Sequence, residues 1–354
     1  MDVRLSAEQV ALRDSATQVV ARLGPRAVGD LDDAERAGKL DAAVAAAGWR
    51  ELRTATEDGT PWASAVEVAI VAEELSRGLA DTAFLGPTLA AELRRLAGAP
   101  AAVAPETVAL LPDLSGPAVA AAGGVLPPGT VAIDAAGATS ALVVMAADND
   151  GNRNDGDGDL TLGSVELGGP GVPVDLTRPG VALDSSSDVL PLAGEGGPPA
   201  VSAEGLTRWT ALALAVTAAE LVGTMRGAVT LAADYAKDRR QYGQAIGSFQ
   251  AVQHLLADAF VATEGSHSAA LHAGWAVDAL APADALGAAA VAKAYGARAA
   301  RSVCETAIQV HGGIGNTWEC LAHVHLRRAL LSSDVLGGVG PNLARVLAHR
   351  GIAA

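Results

Sequence analysis

The sequence contains few aromatic residues and only two cysteines. Phe, Trp and Tyr make up 3% of the 354 residues, although 50% of the chain is hydrophobic. Its core must therefore be built from small aliphatic side chains, which suit closely packed helices. Cys304 and Cys320 match no zinc or redox spacing and are too few for a disulfide framework. We therefore expect reduced thiols and a cytoplasmic location.

The chain also lacks an excess of positive charge and a long apolar run. Its formal net charge is -15, which repels nucleic acids and anionic membranes and excludes both as general partners. The N-terminus has no apolar core typical of a signal peptide. No uninterrupted apolar run reaches the ~18 residues of a membrane span, and the run at 209–223 is interrupted by Glu220. Two local positive pairs, Arg239–Arg240 and Arg327–Arg328, can attract an anionic ligand.

Composition and the spacing of apolar residues divide the chain into three regions. Residues 1–100 show helical spacing of apolar residues, with Ser6 at an N-cap position. Residues 101–203 are dense in Gly and Pro and contain short β-type runs between turn signals, which predict a small sheet or barrel. Residues 204–354 return to long helices with apolar stripes, which predict an antiparallel four-helix bundle. The predicted fold class is α+β, mostly α.

An acidic loop at 148–159 partly matches the calcium-binding loop of an EF-hand. Acidic or amide residues fall at ligand positions 1, 3 and 5, namely Asp148, Asp150 and Asn152. The sixth position requires Gly but carries Arg153, and the twelfth carries Asp159 rather than Glu. No predicted helices flank the loop. A solvated hairpin loop is therefore favoured over a calcium site.

The glycine-rich run HGGIG at 311–315 is a weak signal when taken alone. It does not follow a strand, which excludes a dinucleotide-binding fingerprint. It is typical of a helix C-terminus followed by a tight turn. The histidines predict no metal site, because His323 and His325 are two residues apart and so lie on different faces of a helix.

Two segments together resemble the C-terminal helical domain of acyl-CoA dehydrogenases. They are DYAKDRRQYGQAIGSFQAVQHLLAD at 234–258 and AIQVHGGIGNTWECLAHVHLRRA at 307–329. VEVAIVAEELSRGLADTAFLGPTLAAEL at 66–93 resembles the family's N-terminal helical domain. The resemblance implies an N-terminal helical domain, a small middle β domain and a C-terminal four-helix bundle. It also implies the family's chemistry, the FAD-dependent α,β-desaturation of an acyl-CoA thioester.

The resemblance assigns residues to the cofactor. In the family, an arginine-bearing loop crosses a subunit interface and holds the adenosine diphosphate end of the neighbouring subunit's FAD. By this resemblance Arg239 bonds the pyrophosphate, a role that suits the fork of an arginine. Gln250 matches another FAD contact, and Gly243 lets the chain turn. A five-residue segment matches the part that approaches the adenine and ribose, and it comprises Gln309, Val310, His311, Gly312 and Gly313.

The residues that perform the family's chemistry are missing from this sequence. A Glu normally removes the α-proton, and its position falls on Leu336. The alternative family position, on the first long C-terminal helix, falls on Ala213, and neither side chain can take a proton. Asp334 is the nearest acid, but it lies two residues from Leu336 and has a shorter reach. The family segments that hold the flavin ring of the subunit's own FAD have no counterpart in residues 101–203.

These features predict the non-catalytic partner subunit of a heteromeric acyl-CoA dehydrogenase. A second, full-length chain would supply the Glu, the flavin-ring site and most of the acyl-CoA pocket, and electrons would pass to an electron-transfer flavoprotein. The resemblance is to paired short and long subunits, some of which act on bulky acyl groups such as steroid side chains, and it implies an oligomer such as a heterotetramer. Two other hypotheses stay open. One is a self-sufficient dehydrogenase that uses Asp334 as its base, and the other is a helical scaffold that binds no flavin.

Overall fold

Helices build the N-terminal region of the computed structural model, which describes residues 4–121, 123–146, 160–169, 172–173, 175–194 and 197–352. They are α1 (Ala7–Leu23), α2 (Ala34–Ala46), α3 (Ala65–Arg77) and α4 (Leu85–Leu96). Ser6 caps α1 as predicted, because its hydroxyl accepts the N–H of Gln9 at 3.2 Å. The side chain of Gln9 accepts the N–H of Ser6 in return, at 3.0 Å. This reciprocal capping box satisfies two N–H groups that have no partner within the helix.

A small sheet follows between residues 106 and 201. Its strands are β1 (Glu106–Leu110), β2 (Val119–Ala120), β3 (Thr130–Ala132), β4 (Ser140–Met145), β5 (Leu160–Glu166), β6 (Val172–Pro173), β7 (Pro179–Leu183), β8 (Val189–Pro191) and β9 (Ala200–Val201). The strand order is β6-β7-β3-β1-β4-β5-β8, with β2 paired to β4 and β9 to β5. Strand β4 pairs in parallel with β1 and antiparallel with β5. The buried residues of the sheet are mainly Ala, Val and Leu, as the scarcity of aromatics requires.

Long helices form the C-terminal region. They are α5 (Ala203–Asp238), α6 (Gln250–Ala279), α7 (Pro282–His311), α8 (Ala322–Asp334) and α9 (Val339–His349). Helix α5 lies at the centre and packs against α3, α4, α6, α7 and α8. The short helix α9 was not predicted and packs against α7. The predicted fold class, mostly α with a small β domain and a C-terminal bundle, is confirmed.

Two glycines allow α5 to approach α3 closely. A Cβ atom at Gly223 would lie 2.0 Å from the main-chain oxygen of Glu73, and one at Gly227 would lie 2.2 Å from that of Arg77. Both oxygens belong to the backbone of α3, so neither can turn aside as a flexible side chain could. The glycines that weaken α5 as an isolated helix therefore serve helix packing.

Helix α5 is also long and apolar enough to span a membrane, but 89% of its most apolar window is buried inside the molecule. Its apolar character is therefore explained by its place in the core. The acidic loop considered above as a calcium site, 148–159, lies outside the described residues.

Candidate functional site

A tight hairpin forms the break between α5 and α6. Helix α5 ends at Asp238, and the N–H of the next residue, Arg239, still donates to the oxygen of Tyr235 at 2.9 Å. Strands β10 (Arg240–Gln241) and β11 (Gln244–Ala245) then pair antiparallel. The two residues of the turn, Tyr242 and Gly243, have φ values of 51° and 80°. A two-residue loop with both φ angles positive matches the twist of a hairpin, and glycine adopts that conformation without strain.

The hairpin presents two positive charges to solvent. Arg239 and Arg240 are both exposed. Within the described part of the chain, neither guanidinium forms an ion pair or a hydrogen bond, whereas arginines such as Arg53 and Arg94 are paired with carboxylates. A free guanidinium can bind an anion from outside the chain without first breaking an internal pair. Gln250, the first residue of α6, is exposed directly after the hairpin.

The second predicted segment lies where α7 ends. Gln309, Gly312 and Gly313 are exposed, whereas Val310 and His311 are buried. Gly312 has φ 68° and ψ -144°, a conformation that only glycine adopts readily. The glycines therefore end the helix, as expected from the sequence, and also leave an exposed backbone without side chains.

One ring contact brings these two segments to the same end of the bundle. Tyr235, four residues before Arg239, stacks on His311 with ring centroids 4.4 Å apart. The structure thus places the hairpin and the 309–313 segment beside each other, although about seventy residues separate them in sequence. Sequence reasoning did not identify Tyr235, and no local signal marks its contact with His311.

Neither of the two positions at which the family carries its catalytic Glu, by the resemblance Leu336 and Ala213, has an acidic residue in this chain. Leu336 is fully buried, and its N–H donates to the main-chain oxygen of Leu114 at 2.6 Å. Ala213 is fully buried in the middle of α5. Asp334, the last residue of α8, is exposed. Its carboxylate therefore lies at the surface of the chain and not in an enclosed pocket.

A buried lysine holds the end of α8, next to these positions. Lys293 on α7 is fully buried, and its Nζ donates to the main-chain oxygens of Ser332, Ser333 and Val335 at 2.6, 2.8 and 2.8 Å. These carbonyls at a helix C-terminus have no partner within the helix and attract a cation. Burial lowers the pKa of Lys293 to about 7.

Helix α9 fixes the loop that follows. The Nδ2 of Asn342 donates to the oxygens of Gly337 and Gly338, at 2.7 and 3.0 Å. Arg345 donates to the oxygen of Leu336 at 2.8 Å. The loop is therefore held in place although it carries no base. Leu336 itself has a φ of 61°, which is unusual for a leucine and is maintained by these contacts.

A buried ionic cluster joins the middle domain to the bundle. Arg178 donates to both carboxylate oxygens of Glu220 on α5 at 2.8 and 2.9 Å, to Asp175 at 3.1 Å and to Ser332 Oγ on α8 at 2.7 Å. Burial alone would lower the pKa of Arg178, but Glu220 and Asp175 raise it. Glu220 follows Ala213 by seven residues and so lies on the same face of α5. Through Glu220 and Ser332 the cluster contacts both helices, α5 and α8, that precede or carry the two positions of the family base.

A second arginine extends this cluster to the N-terminal domain. Arg328 on α8 donates to the oxygen of Ala80 at 2.9 Å and to Thr177 Oγ1 at 3.1 Å. Asp134 of the middle domain accepts the N–H groups of Phe84 and Gly86 at the start of α4, at 2.7 and 3.3 Å. All three domains thus meet at one buried polar junction.

Position 328 corrects a sequence-based expectation. The pair Arg327–Arg328 does not form a positive surface cluster, because Arg328 is only 2% exposed and its hydrogen bonds are internal. Arg327 lies over the ring of Trp318, 5.7 Å from its centroid. Of the two arginine pairs, the hairpin pair is therefore the one available to an external anion.

Three cavities of about 660, 580 and 370 Å³ lie elsewhere in the described structure. None is lined by Leu336, Asp334 or Ala213.

Burial raises the pKa of the free Cys304 thiol to about 12, which makes it a poor nucleophile. His325 is buried, and burial lowers its pKa to about 3, so it is neutral at physiological pH. In the described residues, no group of three or more His, Cys, Asp or Glu side chains is placed to hold a metal ion.

The comparisons with known proteins identify the family. Residues 211–348 match the model of the acyl-CoA dehydrogenase C-terminal domain. The chain is 32% identical to the acyl-CoA dehydrogenase IpdE2 of Mycobacterium tuberculosis over 270 residues, which cover 76% of this chain and 73% of IpdE2. It is 46% identical to the acyl-CoA dehydrogenase FadE34 of the same organism over 142 residues, which cover 39% of this chain but only 19% of FadE34. The chain belongs to the acyl-CoA dehydrogenase family.

Solved structures show the same fold over the whole chain. The ChsE4-ChsE5 complex from Mycobacterium tuberculosis matches with a TM-score of 0.76 at 22% identity, covering 100% of both chains. A variant of the Tcur3481-Tcur3483 steroid acyl-CoA dehydrogenase matches with a TM-score of 0.75 at 23% identity, covering 97% of this chain and 98% of the other. Both of these relatives are described as assemblies of two different chains.

Proposed function

We propose that this chain is the non-catalytic partner subunit of a heteromeric, FAD-dependent acyl-CoA dehydrogenase. A second, full-length chain supplies the base, the flavin-ring site and most of the acyl-CoA pocket. The observation that carries this proposal is the contrast between two parts of the molecule. The hairpin offers exposed, unpaired guanidinium groups, whereas the positions of the family base are buried and apolar.

The exposed residues fit the adenosine diphosphate part of FAD. Arg239 and Arg240 offer planar forks of donors, which suit the pyrophosphate. Gln250 and Gln309 add exposed amides, which can donate and accept hydrogen bonds. The turn at Gly312 exposes backbone that no side chain covers, which permits close approach to a nucleoside. FAD bound here supplies a ring that accepts hydride, and this chain supplies the donors that hold its adenosine diphosphate end.

The rest of the chain supports a partner role. Proton abstraction requires a general base within hydrogen-bond reach of the substrate. Leu336 and Ala213 have no titratable group, and the exposed position of Asp334 gives no support to a self-sufficient enzyme. A scaffold that binds no flavin would have no need for unpaired arginines on a fixed hairpin. The two-chain assemblies among the similar structures favour a heteromer over a single-chain enzyme.

The same comparison suggests a class of substrate and an electron acceptor. One similar structure is described as a steroid acyl-CoA dehydrogenase, so we propose a bulky, steroid-like acyl-CoA substrate. Electrons leave to an electron-transfer flavoprotein, and the assembly works in the cytoplasm.

The test uses the complex with its full-length partner. Arg239→Ala should weaken FAD binding by about 1.5–3 kcal/mol, the value of a hydrogen bond to a charged group. Arg239→Lys should recover only part of this loss, because the fork is absent. Arg22→Ala is the matched control, since Arg22 is an exposed arginine on α1. Equal FAD affinity in the Arg239→Ala and Arg22→Ala complexes would show that the hairpin does not reach the cofactor.

A further inference from the structure

The two segments proposed to hold FAD depend on one internal contact. Tyr235 and His311 stack at 4.4 Å between ring centroids, with an interplanar angle of 25°. The main-chain oxygen of Tyr235 accepts the N–H of Arg239 at 2.9 Å. On the other side, His311 directly precedes the turn at Gly312 and Gly313. The stack therefore connects the hairpin to the exposed backbone at the end of α7.

His311 is committed to the interior of the molecule. Only 7% of the surface of His311 is exposed, and Tyr235 covers one face of its ring. Its Nδ1 donates to the main-chain oxygen of Ala307 at 2.7 Å, since a carbonyl oxygen can only accept. A ring held by two internal contacts is suited to fix the position of its neighbours rather than to bind the cofactor itself.

The hairpin is fixed at both ends as well. The N–H of Arg239 bonds to Tyr235, and the oxygen of Arg239 accepts the N–H of Ile246 at 2.8 Å. The position of Arg239 therefore follows that of Tyr235. Two contacts to one extended ligand act together only when their spacing lets both engage at once.

We propose that Tyr235 and His311 are positioning residues, whose stack sets the spacing between the Arg239 hairpin and the Gly312–Gly313 turn so that both segments meet the same FAD molecule. This inference rests on the proposed function. It removes His311 from the predicted set of direct contacts and adds Tyr235 as a residue that acts through Arg239.

The experiment compares His311→Leu with His311→Phe in the complex with the full-length partner. Both variants remove the hydrogen bond to Ala307, but only phenylalanine keeps a flat ring against Tyr235. We expect His311→Leu to weaken FAD binding about three- to tenfold, the range for loss of an aromatic contact. His311→Phe should stay within about twofold of the wild-type dissociation constant. Tyr235→Leu should match His311→Leu, and it tests the contact from the other helix if one variant fails to fold.

The thermal midpoint of each lone chain, measured without FAD, separates positioning from general stability. If His311→Leu and His311→Phe bind FAD equally while Arg239→Ala binds it weakly, the positioning role is overturned and the proposed function stands. If the lone chains of His311→Leu and His311→Phe melt together while only the leucine variant loses FAD affinity, the positioning role is supported. If Arg239→Ala also keeps full affinity, the proposed function fails, and this inference fails with it.

Discussion

The junction of the three domains should depend strongly on Arg178. Its guanidinium is fully enclosed and satisfies both oxygens of Glu220, one oxygen of Asp175 and the hydroxyl of Ser332. Arg178→Met keeps most of the side-chain volume but leaves two buried carboxylates with fewer partners. Removing one member of a buried ion pair costs about 3–5 kcal/mol, because the remaining charge stays desolvated.

This cost can be expressed as a change in melting temperature. Unfolding entropy is about 2.1 cal/mol/K per residue, which gives about 0.7 kcal/mol per kelvin for a chain of this length. Arg178→Met should therefore lower the thermal midpoint by about 4–7 °C, measured by far-UV circular dichroism on the lone chain. Adding Glu220→Gln should recover part of the loss, since an uncharged amide costs less to bury than an unpaired carboxylate.

The matched control is an exposed pair. Arg301 and Glu305 lie 2.9 Å apart on α7 but are largely exposed. Arg301→Met should change stability by less than about 0.5 kcal/mol. A fall of under about 1 °C in Arg178→Met, similar to that in Arg301→Met, would refute the view that the ionic cluster holds the domains together.

Three other predictions concern titration, the base and helix packing. Burial holds the pKa of Lys293 near 7, below its ordinary value of 10.5. Between pH 7 and 10.5 the unfolded chain binds one more proton than the folded chain, so the free energy of unfolding should rise by up to about 1.4 kcal/mol per pH unit. If denaturant titrations of Lys293→Met give the same rise of unfolding free energy with pH, this prediction is contradicted. Asp334→Asn should leave turnover of the complex nearly unchanged, whereas a true base would cost about 10²-fold or more; loss of turnover in a folded, flavin-loaded complex would make Asp334 the base. Gly223→Ala should destabilise the lone chain by at least about 1 kcal/mol in urea, because the new methyl group meets the oxygen of Glu73; unchanged stability would show that α3 can move.

The sequence was sufficient for features that depend on local pattern. Helical spacing and the Ser6 cap predicted α1, and dense Gly and Pro with short β-type runs predicted the small sheet. The family resemblance pointed to an arginine-bearing loop that turns at Gly243, and the structure shows this loop as a hairpin whose turn has φ values of 51° at Tyr242 and 80° at Gly243. The assignments of Arg239, Gln250 and Gln309–Gly313 to FAD stay predictions, although the exposure of Arg239, Gln250, Gln309, Gly312 and Gly313 suits them.

Features that depend on tertiary contacts could not be predicted. Arg328 has the same local sequence context as Arg327, yet one is enclosed at the domain junction and the other is on the surface. The stack of Tyr235 on His311 joins residues that are far apart in the chain. The three carbonyls that hold Lys293 come from a different helix, α8, and from the loop after it. Helix α9 was missed because it is short and directly follows a Gly-rich loop.

The most direct test of a partner role is the FAD content of this chain, purified alone and purified with a full-length acyl-CoA dehydrogenase chain. Flavin absorbance and protein concentration give the number of FAD molecules per chain. The partner role predicts almost no FAD on the lone chain, and one FAD for each pair of unlike chains in an active complex. Close to one FAD per lone chain, with dehydrogenase turnover in the absence of any partner, would contradict it.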